Sequence, residues 1–192
     1  MKPKLLIAGD SFSVDWSKKY SDVCGWVNLL NNDFIITNLS EAGVSEYKIY
    51  NQLKSIDTSL FDKILISHTS PYRIPIEEHP IHKKDKLHYN CDLIFSDVEE
   101  HLENEIMKTA YNFYTQIFHK DYFIFVNNLI FNEIKRKYPL STHITFFDTF
   151  YDNSVFKFEN IFKKYKGNVN HLNQKGNQII YTKIIEILKS EL

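Results

Sequence analysis

Five short apolar runs punctuate this chain, and the stretches between them can hold helices. Residues 4–8 (KLLIA), 34–38 (FIITN), 63–67 (KILIS), 122–127 (YFIFVN) and 143–147 (HITFF) are rich in β-branched and aromatic side chains. Runs of this length and composition read as buried strands. Residues 22–30, 46–56, 98–119, 129–138 and 173–188 place apolar side chains at helical spacing. In 98–119 the stripe is Ile106, Ala110, Phe113 and Ile117, and Pro139 stops the helix expected over 129–138. Alternation of strand and helix predicts βαβ units and a parallel sheet. The expected fold is therefore α/β, a three-layer αβα sandwich around a five-stranded parallel sheet, in one domain spanning 1–192. Sites in such sheets form beyond the carboxyl ends of the strands, so residues that carry chemistry are sought there. The rhythm fails once: 69–95 shows no clear element. A loop of that length inside a compact domain is read as a lid or substrate loop.

Composition narrows the partners. The formal net charge is −1, and the Lys18-Lys19, Lys83-Lys84 and Lys163-Lys164 pairs are scattered. Nucleic acid is not an expected partner, because its binding needs a basic stripe. No apolar run approaches the length of a bilayer span, so no membrane partner is expected. The two cysteines, Cys24 and Cys91, make no disulfide framework. A soluble, cytoplasmic protein is expected, with no cofactor.

Three blocks carry candidate chemistry. Gly9-Asp10-Ser11-Phe12-Ser13 follows the first run. A Ser at a strand end can present its hydroxyl above the sheet edge, with its own N–H turned into the site. A simple turn would use the same residues. Asn38-Leu39-Ser40-Glu41-Ala42-Gly43 follows the second run, and Gly43 serves either a tight turn or an N–H donor. Asn170-His171-Leu172-Asn173-Gln174-Lys175-Gly176-Asn177-Gln178 leads into the last helix, where Asn173 suits the N-cap. His171 there is either a surface residue or an imidazole held over a cleft.

Together these blocks resemble the SGNH/GDSL hydrolase family over nearly the whole chain. The resemblance rests on GDSFS at 9–13, the Asn38…Gly43 stretch and HLNQKGNQ at 171–178. It implies the flavodoxin-like strand order of that family. It also implies Ser11 as nucleophile, His171 as general base, and the N–H groups of Ser11 and Gly43 as oxyanion donors. Chemistry agrees, because a Ser hydroxyl needs an adjacent base and imidazole suits that task.

Two positions depart from the family pattern. An Asp usually stands three residues before the His; here it is Asn168. Asn can orient an imidazole but cannot balance its charge, and Asp148 and Asp152 are the candidate substitutes. After the third run the family has an Asn that completes the oxyanion hole. Here the chain reads His68-Thr69-Ser70-Pro71-Tyr72-Arg73, leaving Thr69 or Ser70 as the third donor. Asp10, His68 and Arg73 are candidate substrate contacts, Arg73 being suited to a carboxylate or phosphate. Within 69–95, His79, His82, His88 and Cys91 supply ligand types that zinc accepts. Their spacing matches no known zinc module, so no metal is expected there.

The expected function is a serine ester hydrolase acting on a small-molecule or glycan ester, such as an O-acetylated carbohydrate. An O-acyltransferase would use the same covalent intermediate. The departures at Asn168 and Ser70 leave open a binding protein that has lost catalysis. A flavin protein is disfavoured, because the loops after the strands lack a phosphate cradle.

Overall fold

Alternate residues of the first strand serve two different cores. The computed structural model describes residues 1–20, 24–147 and 150–190. In β1 (Lys4–Gly9), Leu5 and Ile7 face one side of the sheet, and Leu6 and Ala8 face the other. The first side packs on α1 (Trp26–Leu29) and α7 (Gln174–Ser190), through Trp26, Val27, Ile180, Ile184 and Leu188. The second packs on α2 (Glu46–Lys54) and α5 (Lys120–Lys137), through Ile49, Leu53 and Ile134. Burial on both faces is what makes the strand a continuous apolar run.

β2 (Ile35–Asn38), β3 (Lys63–His68), β6 (Thr142–Thr145) and β7 (Phe156–Lys157) complete the sheet. Its order is β2-β1-β3-β6-β7, and every pairing is parallel. The fold is thus an αβα sandwich with the doubly wound, flavodoxin-like order. That order reverses direction between β1 and β3, where the carboxyl-end crevice opens. α6 (Glu159–Lys164) and the short β8 (Lys166–Val169) lead into α7. No helix among the described residues is long and apolar enough to cross a membrane.

Several sequence expectations need correction. Residues 122–127 are not a strand but part of α5. The His119 Nδ1 accepts the Tyr122 amide at 3.2 Å and caps that helix. Buried positions then recur at Asn127, Phe131 and Ile134, spaced by four and three. Tyr122 and Phe125 face solvent, so their β-propensity decides nothing. The fifth strand is instead Phe156–Lys157 of β7, too short to announce itself. The helix expected over 98–119 is two: α3 (Phe95–Glu100) and α4 (Glu105–Gln116). Asn104 breaks the run by capping α4, accepting the Ile106 and Met107 amides. The helix expected over 22–30 begins on residues outside the described ones, and its described part is α1.

Residues 69–95, read as a lid or substrate loop, hold two short strands. β4 (Arg73–Ile74) and β5 (Leu93–Ile94) form an antiparallel ribbon. The turns between them are tied down by Ala42 N–H to Leu87 C=O (3.0 Å), Asp92 N–H to Gly43 C=O (3.0 Å) and the buried Lys48–Asp92 pair (2.8 Å).

Assignment of 122–127 to a helix is tested by truncation. Phe125→Ala should change stability by no more than about 0.5 kcal/mol, while Ile134→Ala should cost about 2–5 kcal/mol. Urea unfolding of both variants measures this; a large loss at Phe125 would restore the buried strand.

Candidate active site

The turn after β1 is set by crowding. A Cβ on Gly9 would lie 2.7 Å from Ser67 Cβ and closer still to Ser13 Oγ, so only glycine fits there. Gln52 clamps Gly9 from α2, accepting its N–H at 2.9 Å and donating to its C=O at 3.2 Å. The chain then turns, with Ser13 N–H donating to Asp10 C=O at 2.9 Å. Ser11 therefore stands at the carboxyl end of β1, beside the end of β3 and over the crevice.

His171 arrives from the other end of the chain. Asn170 and His171 have φ of 51° and 59°, left-handed values that cost a non-glycine residue about 1–2 kcal/mol. Surrounding bonds hold them there. The buried Asn170 Nδ2 donates to Val14 C=O at 2.8 Å. Asn177 accepts the Trp26 amide at 2.9 Å, and its Nδ2 lies 3.0–3.2 Å from the carbonyls of Val169, Leu172 and Asn173. Asn173 Oδ1 accepts the Gly176 amide at 2.9 Å, capping α7. These bonds aim the imidazole at Ser11: Nε2 lies 2.8 Å from Ser11 Oγ. The ring rests on Phe12 at a centroid distance of 4.5 Å. Burial pushes the His171 pKa below its usual range, opposed by the negative charge of Asp10. A neutral imidazole at neutral pH is the form that accepts a proton.

Asp10, expected as a substrate contact, is fully buried. Its carboxylate accepts from the Phe12 amide (3.1 Å), Thr69 Oγ1 (2.8 Å) and Arg73 Nη2 (3.0 Å). Arg73 Nη1 donates to Val44 C=O at 2.7 Å. The Arg73 guanidinium is therefore engaged inside the protein rather than offered to a ligand. The Thr69 hydroxyl proton is likewise given to Asp10, which removes Thr69 as an oxyanion donor. Ser70 lines a cavity of about 60 Å³ between α2 and α5, with Phe123, Asn127 and Ile130. Neither Ser11 nor His171 lines that cavity.

His68 is also buried away from ligand. Its Nδ1 lies 2.5 Å from Glu46 Oε1, and its Nε2 lies 2.8 Å from His143 Nδ1. His143 Nε2 lies 3.0 Å from Ser141 Oγ, which donates to Tyr138 C=O at 2.5 Å. His68 thus links Glu46 to His143, and His143 links His68 to Ser141. Tyr151 adds its hydroxyl to Glu46 and to Thr69 C=O, joining this chain to the Asp10 cluster. Burial, then the neighbouring His68, pushes the His143 pKa down to about 3. Sequence reading missed Glu46, His143 and Tyr151. The one available signal was Glu46 itself, an acid opening a helix just after the Gly43 turn.

Gly43 has φ of 77°, and a Cβ there would lie 2.6 Å from Cys91 Cβ. The amides of Ser11 and Gly43 have no acceptor among the described residues. Asn168 is exposed on β8 and makes no side-chain hydrogen bond among the described residues, so it does not orient His171. Asp152 is a surface turn residue bound to Ser154 and Lys135. Asp148 lies outside the described residues. Among those described, no carboxylate hydrogen-bonds His171.

No family model matches this sequence, and no curated protein matches it.

Acid should weaken the fold through His143. Its folded pKa lies below the unfolded value of about 6.5, so the unfolded chain binds more protons. The stability it confers is complete above that value and is lost as pH falls toward about 3, by up to about 1.4 kcal/mol per pH unit. Urea midpoints at pH 7.5 and 5.0 should show the drop, with His143→Gln giving a shallower one. Equal midpoints in the parent protein would mean that His143 takes up its proton while folded.

Proposed function

We propose that this protein is a serine ester hydrolase of the SGNH/GDSL type, working through a Ser11–His171 dyad. The observation that carries the reading is the 2.8 Å contact between Ser11 Oγ and His171 Nε2, made across 160 residues of sequence. His171 Nε2 takes the hydroxyl proton as Oγ attacks the acyl carbonyl. The imidazolium returns that proton to the leaving alcohol, giving an acyl-serine. Water, deprotonated by the same nitrogen, then releases the acid. The free amides of Ser11 and Gly43 are suited to the oxyanion, where losing one donor typically costs about 10²–10³ in rate.

Electrostatics at His171 differ from a full triad. Asp10 acts on the imidazolium only through space, and its charge is shared with Arg73. A dyad without an orienting acid is slower; Asp-to-Asn in a serine protease triad costs about 10⁴ in kcat. The cavity of about 230 Å³ bounded by Val14, Asn38, Ser40, Glu41, Lys86 and Tyr89 is lined by neither Ser11 nor His171, so the acyl carrier, such as an acetylated sugar, rests on the family resemblance alone. With a sugar hydroxyl in place of water, the same steps give acyl transfer. A second reading, a binding protein on this scaffold, is favoured by the missing acid and the committed Thr69 hydroxyl.

A fluorophosphonate probe separates these readings. Labelling of Ser11, seen by mass spectrometry and lost in His171→Ala, is the expected result; a folded but unlabelled protein would favour binding. Asn168→Asp should leave turnover of a small acetyl ester within about 2-fold, because that side chain is exposed; a gain of order 10² or more would make residue 168 the orienting acid.

The pH profile gives an independent check. Activity requires neutral His171, so kcat/KM falls as pH drops through its pKa. That limb should lie below the ordinary imidazole value of about 6.5; a limb above it would contradict the burial of the base.

A further inference from the structure

Three imidazoles converge on one carboxylate at the outer end of the ribbon. His79 and His82 lie between β4 and β5, Asp97 lies in α3, and His101 follows that helix. His82 Nε2 is 3.0 Å from Asp97 Oδ1, His79 Nε2 is 3.1 Å from Oδ2, and His101 Nε2 is 3.6 Å from Oδ1. A tetrahedral ion with bonds of about 2.0–2.1 Å holds its ligand atoms roughly 3.3 Å apart. The ligand atoms of His79, His82 and Asp97 all lie within 4.8 Å of one another, while His101 stands outside that group, 3.6 Å from Asp97 Oδ1.

One further observation points to a ligand. His79 Nε2 is fully buried and has no hydrogen-bond partner among the described residues, although it lies 3.1 Å from Asp97 Oδ2.

We propose that His79, His82, Asp97 and His101 bind a divalent transition-metal ion, with zinc the ion their donor set fits. Three nitrogens and one oxygen suit zinc; magnesium and calcium take oxygen ligands. His88, which the spacing had singled out, is held instead by Asp85 at 3.1 Å. Cys91 packs against Gly43 and is not among the converging residues. Two ligands need a change of tautomer. His79 Nδ1 accepts the amides of Ile81 and His82 at 3.2 Å each, which keeps its proton on Nε2. Binding moves that proton to Nδ1 and gives up two long contacts; His82, whose Nε2 donates to Asp97 Oδ1 at 3.0 Å, needs the same change, and His101 must close in on the ion. The ion would fasten the ribbon's turns to α3, whether or not Ser11 is a nucleophile.

Zinc binding to chelator-stripped full-length protein tests this, measured by competition with a chromophoric chelator and by elemental analysis. One zinc per chain is expected, unaffected by excess magnesium. His82→Gln and His101→Gln, both at partly exposed positions, should each weaken binding by more than the 10–100-fold typical of outer-shell changes. Circular dichroism confirms that each variant folds, and thermal melts should show zinc raising Tm in the parent only. Failure of the parent to take up zinc would overturn the proposal. So would undiminished affinity in the His82→Gln/His101→Gln double variant.

Discussion

The ion pair between Asp10 and Arg73 is the constraint on which the site depends. A fully buried carboxylate is tolerable only when its charge and lone pairs are met, because desolvation costs several kcal/mol per ion. Here three donors meet it, from the turn after β1, the end of β3 and the ribbon strand β4. Arg73 in turn holds the carbonyl of Val44, next to Gly43. One ion pair thus fixes the nucleophile turn, the third-strand turn and the glycine loop relative to one another. Breaking such a pair from one side typically costs about 3–5 kcal/mol. The same carboxylate supplies the negative charge felt by His171, so scaffold and chemistry share a single group.

Much of the fold was legible because the sheet is buried on both faces. β1, β2 and β3 follow directly from their apolar runs, and β6 from HITFF. The α5 segment misled for a physical reason. YFIFVN is rich in strand formers, but its aromatic residues lie on the solvent side of a helix whose buried stripe begins only at Asn127. Composition was visible there; exposure was not. β7 escaped notice because two paired residues leave no periodic pattern.

The candidate dyad was legible for a different reason. Ser11 and His171 sit in blocks whose residue types serve a turn and a helix start, and the fold brings those blocks together. Asp10, His68 and Arg73, read as substrate contacts, and Thr69, read as an oxyanion donor, lie at strand ends and are each hydrogen-bonded inside the protein. A polar residue after a strand points either into the crevice or into the protein, and sequence does not say which. Only their partners decide it: Glu46 for His68, Asp10 for Thr69 and Arg73. The left-handed turn at Asn170–His171 was equally hidden, since two of its supports, Val14 and Trp26, lie far from it in sequence.

The distance between the dyad's two members has a consequence for how the protein is made. At translation rates of about 5–20 residues per second, the 160 residues separating them take roughly 10–30 s to synthesise. Throughout that interval a nascent chain carries the serine without its imidazole. The pairing is therefore a late, long-range event of folding, and a truncated chain lacking α7 would also lose the core contacts of Ile180, Ile184 and Leu188.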